Sequence, residues 1–536
     1  MREVVVLLLL VSCSAAGDSS GESAQDAGGP SRSVKRSPNI VFILSDDLGF
    51  NDVGFHGSSQ IPTPHIDEIA RTGVILNNYR VQPVCSPTRA TIMSGRHVIH
   101  TGTYQPFTQG TNLRLNLTYT LLPAYLKKLG YSTHMVGKWH LGHNEVSALP
   151  TSRGFDTYFG FWSGAEDYYS HDCRNAYDLA DGTRTAFEWN GTYSTFLWNS
   201  KAIEVIEKAD SSKPFFLYLA YQNVHWPLEA PQRYLDMFQH TTGGNKQRQA
   251  VCAMVAIMDE SVGNLTAALK RKGVFEDTLL IFSSDNGGPT NGFEGTWSSN
   301  YPMRGGKYTL WEGGTRVVGA VRGPGLAPAL AGTVSNLKIH ATDWLPTLVH
   351  AASGDSHWFR NNMPSNEPPL LLGDGQDIWD SLRFGKAVRE EFILECHPHD
   401  QDPHGSALVQ GDWKLLKIGI VHGQNQEGWY APPGQDPKTT SYQLPCDIAR
   451  QPAAPTPFQC QADFCLFNVT ADPCEYNDLA TQHPDVVKAL VARLREYQAT
   501  AVPIVKGEGC DPVVVEGAWR PCDAPHPDRF VTEMVV

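Results

Sequence analysis

Three carboxylates and an amide stand out in the 536-residue chain: Asp46 and Asp47, then, far along the sequence, Asp285 and Asn286. Each pair directly follows a short apolar run, so each sits where a strand should end. If the two ends converge, three buried carboxylates repel and raise one another's pKa. A divalent cation relieves that repulsion, and an all-oxygen set suits calcium or magnesium rather than zinc. Asp-Asp and Asp-Asn-Gly are also ordinary turn sequences after strands, so it is the combination of the two pairs that points to a metal. The sharpest local signal is Cys85-Ser86-Pro87-Thr88-Arg89. Pro87 near a first helical turn is favourable, and residues 90–94 can continue the helix. Cys85 then lies at a helix N-terminus, where a thiolate or any developing anion is stabilised. A free or disulfide-bonded cysteine at a helix start is the simpler alternative.

The elements that position these residues are legible as apolar runs. Residues 39–44, 131–136, 215–220 and 278–282 each read as a strand covered on both faces. They end in Ser45-Asp46-Asp47, Gly137-Lys138-Trp139-His140, Tyr221 to His225, and Ser283-Ser284-Asp285-Asn286. Between them, Thr120 can cap a helix with Leu122, Tyr125, Leu126 and Leu129 on one face, stopped by Gly130. A second helix, from about Lys246 to Lys272, carries Met254, Ile257, Met258 and Val262 and stops at Gly273. The alternation predicts an α/β fold with a large, mostly parallel sheet covered by helices on both faces. Ligands in such sheets gather at the carboxyl ends of strands, so the four polar ends predict one shared pocket. After Trp379 the character changes to strand-like pieces at 391–395 and 413–418, loops rich in Pro and Gly, and a helix over 485–498 with Val487, Leu490, Val491 and Leu494 on one face. The expected division is a catalytic domain over 38–385 and a smaller C-terminal domain over 386–536, an antiparallel sheet packed by one helix.

Composition sets the outer limits. Lys+Arg 43 against Asp+Glu 56 leaves a net charge of −13, which argues against a nucleic-acid binder. A pocket can still be locally basic, so a polyanionic substrate is not excluded. The one long apolar run, residues 4–11, is far short of the roughly 20 residues of a membrane span, so no stable membrane insertion is expected. That run behind Met1-Arg2, followed by small residues to Gly17, reads as a signal peptide over 1–16. A Gly/Ser/Asp-rich disordered leader over 17–37 follows, with a dibasic pair at Lys35-Arg36. A buried N-terminal strand and a bacterial lipoprotein site at Cys13 are the alternatives. The expected setting is the secretory pathway, secreted or lysosomal. There, five clustered cysteines, Cys446, Cys460, Cys465, Cys474 and either Cys510 or Cys522, read as local disulfide partners of open connectivity, with Cys465–Cys474 and Cys510–Cys522 close enough in sequence to be attractive pairs. No paired Cys-x-x-Cys spacing supports zinc instead. Sequons at Asn116, Asn190, Asn264 and Asn468 permit glycosylation.

Cys85-x-Pro87-x-Arg89 resembles the sulfatase motif in which cysteine is oxidised to formylglycine. It is embedded in further sulfatase-like segments: Ser45-Asp46-Asp47 with Gly49, Gly137-Lys138-Trp139-His140, Asp285-Asn286-Gly287-Gly288, and Arg304 with Lys307. Over about residues 38 to 500 the chain resembles the type I sulfatases. Within them it is most similar to the arylsulfatase B (N-acetylgalactosamine-4-sulfatase) group, on Asn51-Asp52-Val53-Gly54, Thr133-His134-Met135-Val136 and Leu310-Trp311-Glu312-Gly313-Gly314. The resemblance implies an alkaline-phosphatase-like fold and a sulfuric ester hydrolase. It implies one Ca2+ held by Asp46, Asp47, Asp285 and Asn286, with the formylglycine at Cys85 beside it, made by a formylglycine-generating enzyme during maturation. It places Arg89 and Lys138 beside the modified residue, His140 on its hydroxyl, and His225 and Lys307 on the sulfate and leaving group. The implied mechanism uses a geminal diol: one hydroxyl attacks sulfur to give a covalent enzyme–sulfate, and the second expels sulfate.

The chain departs from the arylsulfatase B group in having no cysteine in residues 103–117 or 144–152, where that group carries paired ones, and in leaving Cys173 without a local partner. Those loops border the pocket in that group, so the substrate is open between a sulfated saccharide and an aryl or dietary sulfate ester. Two further readings come from other classes. A phosphomonoesterase or phosphodiesterase on this fold would want Ser or Thr as nucleophile and two metals. A non-catalytic sulfated-glycan-binding relative would have lost pocket residues, and none is missing.

Overall fold

The computed structural model describes residues 37–524 apart from 293, 399–404, 420–426, 438–443 and 453–458. The expected signal peptide, and all of the expected leader but Ser37, lie outside the described residues. The four apolar runs form strands Asn39–Ser45, Ser132–Gly137, Phe215–Ala220 and Thr278–Ser284. They lie side by side and parallel, with Asn39–Ser45 between Thr278–Ser284 and Phe215–Ala220, and Ser132–Gly137 beyond the latter. Alternate residues feed two cores. Val41, Ile43, Leu217, Leu219, Leu280 and Phe282 join one, and Ile40, Phe42, Leu44, Phe216, Leu279 and Ile281 the other. A strand buried on both faces has no polar side to show, which is why its sequence is continuously apolar. The first core is closed by helices Ser194–Lys208 and Lys246–Lys272, the second by Cys85–Ser94, Leu122–Lys128 and Trp344–Ser353. Six more strands widen the sheet to ten, with Thr157–Phe161 parallel on one side and Gly319–Arg322 antiparallel on the other.

Helix Lys246–Lys272 has the expected bounds. Asn245 accepts a hydrogen bond from the Arg248 N–H at 2.8 Å, and Gly273 at φ 75° ends it. It alone among the described residues is long and apolar enough to cross a membrane, and it is a core helix with Met254, Ile257, Val262 and Leu265 buried. The expected cap at Thr120 is not formed. Helix Leu122–Lys128 starts behind an extended Leu121 with Pro123 in its first turn, and the Thr120 N–H is taken by Glu367 at 3.2 Å.

The C-terminal region is a four-stranded antiparallel sheet in the order Glu391–Glu395, Gly405–Gln410, Trp413–Ile418, Cys465–Asn468. Helix Pro484–Gln498 packs Leu490, Leu494 and Tyr497 against one face, and Leu310 and Trp311 cover the other. Buried Lys414 reaches Glu312 at 3.0 Å and Glu475 at 2.8 Å, while Arg80 reaches the second Glu312 oxygen at 2.6 Å. A buried ion network thus ties this sheet to the short helix Glu312–Thr315 and to the strand Tyr79–Arg80. The disulfides are Cys446–Cys474, Cys460–Cys465 and Cys510–Cys522. The last was expected. Cys465–Cys474 is corrected: Cys465 opens an edge strand and pairs five residues back, leaving Cys474 to hold the loop at Cys446.

Candidate active site

The strand ends meet. Asp46 and Asp47 leave one strand, Asp285 and Asn286 its neighbour, Lys138 and His140 follow Ser132–Gly137, and His225 follows Phe215–Ala220; all are buried. Asp47 and His140 hold positive φ, 60° and 55°, a strained backbone of the kind that gathers at functional sites. Cys85 is the first residue of helix Cys85–Ser94, entered from an extended Val84 and ended by Gly95 at φ 66°. Its Sγ lies 3.6 Å from Asp46 Oδ1. Ligand atoms of Asp46, Asp47, Cys85 and His225 all lie within 4.8 Å of one another. Asn286 joins them by donating to Asp47 Oδ1 at 2.7 Å.

Cations surround the carboxylates. Arg89 donates to Asp285 Oδ2 through Nε at 3.0 Å and Nη2 at 2.8 Å, and to the Lys138 carbonyl at 3.0 Å. Lys138 Nζ donates to Asp46 Oδ2. Lys307 Nζ donates to Asp47 Oδ2 at 3.0 Å and Glu294 Oε2 at 2.8 Å. Burial pushes the Asp285 carboxyl up, reinforced by Asp46 and opposed by Arg89, Lys138 and Lys307. Burial likewise lifts the Cys85 thiol well above its ordinary range, against the pull of Lys138 and Lys307. An unmodified Cys85 is therefore held as the thiol, which is a poor nucleophile. Glu294 is drawn down to about 2, its burial outweighed by Lys307 and His225.

The donor set fits a hard divalent cation. It offers three carboxylates and one amide oxygen, Asn286 Oδ1, which is buried without a hydrogen-bond partner. Leaving such an oxygen unpaired costs about 1–3 kcal/mol, which a bound cation would offset.

The two histidines are set in opposite senses. The Phe107 carbonyl, 3.1 Å from His140 Nε2, accepts its proton and leaves Nδ1 without a partner. Burial, then Lys138 and Arg89, push the His140 pKa well below its ordinary value, so the ring is neutral. Gly164 is required beside it, since a Cβ there would stand 2.7 Å from His140 Cε1. The Trp226 carbonyl, 2.6 Å from His225 Nδ1, accepts that proton, and His225 Nε2 faces Asp47 Oδ2 at 3.8 Å. Cys85, His140, His225, Lys307 and Glu294 line a cavity of about 750 Å³, with the exposed indole of Trp226 in its lining.

All six expected catalytic and substrate residues, Cys85, Arg89, Lys138, His140, His225 and Lys307, and all four oxygen ligands converge here. Sequence reasoning missed Glu294, which pairs with Lys307 and Tyr308 and has no motif around it. It also passed over Ser86, whose hydroxyl donates to the His140 carbonyl and accepts from the Phe107 N–H; its place inside the cysteine motif was the available signal.

A mostly parallel sheet whose strand ends gather a carboxylate cluster able to hold a cation, a helix-terminal cysteine and two oriented histidines defines an ester-hydrolase site on an alkaline-phosphatase-like fold. The sulfatase family model matches residues 38–354. Arylsulfatase J of Mus musculus is 38% identical over 504 residues, spanning 90% of this chain and 80% of that one. N-acetylgalactosamine-6-sulfatase of Sus scrofa is 31% identical over 524 residues, 91% of each. The crystal structure of Ps i-CgsB in complex with k-i-k-neocarrahexaose has a TM-score of 0.70 at 26% identity, covering 88% of this chain and 95% of that one. The chain belongs to the sulfatase family and is an arylsulfatase-type sulfuric ester hydrolase, acting on a sulfate ester. These relatives establish the family and not the arylsulfatase B group in particular.

Proposed function

We propose that the chain hydrolyses a sulfated saccharide or aryl sulfate using a formylglycine made from Cys85 and one Ca2+ held by Asp46, Asp47, Asp285, Asn286 and the modified Cys85. The observation that carries this reading is the position of Cys85: first in a buried helix, 3.6 Å from Asp46, with Lys138 and Lys307 both acting on it electrostatically. When present, the cation neutralises the carboxylates and polarises the sulfuryl oxygens, and the hydrated aldehyde supplies a nucleophilic hydroxyl with a second hydroxyl on the same carbon. The remaining work falls to side chains already in place. Lys138 and Lys307 neutralise charge gathering on the sulfuryl oxygens. Arg89 fixes Asp285 through two parallel donors and so holds the metal ligand in register. His140 offers its unpartnered Nδ1 as a proton acceptor. His225, fixed through Nδ1, presents Nε2 to the leaving-group oxygen, and in its doubly protonated form it donates the Nε2 proton there and is left with the Nδ1 proton alone.

A formylglycine-generating enzyme is the maturation partner, and the proposed setting is the secretory pathway, secreted or lysosomal. Three of the four sequons there, at Asn116, Asn190 and Asn264, are exposed. Residues 38–385 are proposed as the catalytic domain and 386–536 as a smaller C-terminal one. The substrate reading is supported by relatives with both kinds of name, an arylsulfatase and an N-acetylgalactosamine-6-sulfatase. Closeness to the 4-sulfatases of the arylsulfatase B group is carried by the motifs alone.

The test is mass spectrometry of the tryptic peptide 81–89 from a host that modifies sulfatases, beside turnover of 4-nitrophenyl sulfate by wild type and Cys85→Ala. The peptide is expected lighter by the exchange of sulfur and two hydrogens for one oxygen. Cys85→Ala is expected to fold, retain calcium binding and lose hydrolysis by at least ~1000-fold. An unmodified cysteine in an active enzyme would overturn the reading.

A further inference from the structure

The last described segment of the chain returns to the pocket. After helix Pro484–Gln498 it runs beside the strand-end loops: the Val502 N–H donates to the Ile99 carbonyl at 2.7 Å and the Val505 N–H to the Gly102 carbonyl at 2.8 Å. It then meets two loops in turn. Asn112 donates to the Gly509 carbonyl at 3.2 Å, Arg114 to the Glu508 carbonyl at 2.7 Å, and Asn144 to the carbonyls of Glu508 and Cys510 at 3.0 and 3.3 Å. Cys510 and Cys522 close the segment into a loop whose strands, Val513–Val515 and Ala518–Arg520, form a hairpin. The Cys522 N–H donates back to the Asn144 carbonyl at 2.8 Å.

The hairpin adds its second strand beside Ala176–Tyr177, whose own partner strand, Asp172–Cys173, lines the cavity. Ala518 pairs with Tyr177, and the Tyr177 N–H donates to the Gly517 carbonyl at 2.8 Å. Trp519 joins the two stretches that line the cavity. Its Nε1–H donates to the Cys173 carbonyl at 2.9 Å, and its ring lies so close to Gly110 that a Cβ there would be 3.1 Å from Cη2. The indole also lies nearly perpendicular to the His143 ring, with the ring centroids 6.1 Å apart. Cys173 lines the cavity, and so does Gln109, the residue before Gly110; their side chains touch each other. One indole therefore fixes the spacing between residues 105–110 and 172–177, although it is absent from the lining and lies 346 residues along the chain from Cys173 and farther still from Gly110.

We infer that Trp519, held by the Cys510–Cys522 hairpin, is a positioning residue for the pocket wall that receives the ester's leaving group. The inference rests on the reading of this cavity as the ester site. Trp519 touches no reacting atom, so its loss acts on binding: a slackened wall raises KM and leaves kcat in place, because Cys85, the carboxylates and His225 are positioned by other elements, and Phe107, whose carbonyl fixes His140, is itself held at its N–H by Ser86 of the Cys85 helix, which also donates to the His140 carbonyl. The same slackening exposes Cys173, whose thiol burial now pushes up to about 12 and so protects from alkylation.

The experiment measures two quantities on the full chain with its disulfides intact: the rate of iodoacetamide labelling at Cys173, read by peptide mass spectrometry, and kcat and KM for 4-nitrophenyl sulfate. Trp519→Ala is expected to speed labelling about tenfold and raise KM about fivefold, with kcat within about twofold. Trp519→Phe, which keeps a ring over Gly110, is expected to recover most of both. The double variant Cys510→Ser with Cys522→Ser, remote from the cavity, should move both in the same direction and serves if Trp519→Ala does not fold. Folded variants with wild-type labelling and wild-type KM would overturn the inference, as would a fall in kcat at constant KM. If wild type turns over no sulfate ester, the ester-site reading fails, and the labelling arm still decides whether the hairpin sets the wall.

Discussion

His140 and His225 differ in which nitrogen the backbone claims, and so in which nitrogen each presents to the pocket, Nδ1 for His140 and Nε2 for His225. The Phe107 carbonyl fixes His140 through Nε2, and the Trp226 carbonyl fixes His225 through Nδ1. For His225 the consequence depends on the leaving group. A saccharide alkoxide cannot depart without a proton, whereas 4-nitrophenolate can. His225→Ala is therefore expected to slow hydrolysis of N-acetylgalactosamine 6-sulfate by about 100-fold or more and of 4-nitrophenyl sulfate by less than about tenfold. Equal losses on both esters, in parallel kcat measurements, would remove the donor role. A second residue behind the pocket speaks to pH. Asp178 is buried, its Oδ2 accepts from the Ser163 N–H at 2.9 Å, and burial pushes its carboxyl up to about 7. Between its ordinary pKa near 3.8 and about 7 the native state keeps a proton that the unfolded chain has shed, so stability falls as pH rises through that window. Asp178→Asn, a neutral isostere, should melt higher than wild type at pH 7.5, by as much as about 4 kcal/mol, and the two should converge below pH 4. A wild type that melts higher at pH 7.5 would show Asp178 ionised and paired.

At the scale of elements, what could be read depended on length and period. The four central strands were legible because burial on both faces writes an unbroken apolar run, and each ends where its chemistry begins. Helix Lys246–Lys272 was legible from its spacing and its Gly273 stop. The hairpin of Val513–Val515 with Ala518–Arg520 was not, since three residues carry no period and its partner strand is distant in sequence. Cys446–Cys474 was hidden for the same reason: loop spacing favours the nearest cysteine, and the fold chose a farther one. Thr120 looked like a cap, but a local signal loses to Glu367, brought in by tertiary packing. Asn245 is the reverse case, a cap the geometry confirms and the sequence reading did not name. Asn245→Ala should lower stability by about 1 kcal/mol in thermal unfolding. It should leave kcat/KM unchanged, because this helix closes the core on one face of the sheet and contributes nothing to the cavity. A loss of turnover without loss of stability would contradict that separation.

Charge acts at the scale of the whole molecule. A net charge of −13 repels polyanions at long range, while the buried lysines and Arg89 attract a single sulfate at short range. The lining of the cavity adds to the repulsion, with Glu166, Asp167, Asp172 and Glu294 against Arg174 and Lys307. Asp167 stays ionised: burial pushes its carboxyl up, but the N–H groups of Ser170 and Tyr169 bring it below its ordinary value. A substrate carrying one sulfate meets mainly the attraction, and a chain carrying many must first cross the repulsion. Salt separates the two, because the screening length falls from about 30 Å at 0.01 M to about 8 Å at 0.15 M. Over that range kcat/KM for a multiply sulfated oligosaccharide is expected to rise about threefold or more, while that for 4-nitrophenyl sulfate changes by less than about twofold. Asp167→Asn with Asp172→Asn should flatten the salt response without altering kcat for the small ester. A kcat/KM on the oligosaccharide that falls as salt is added would mean that cations dominate the approach, and would make polysulfated chains the better substrates.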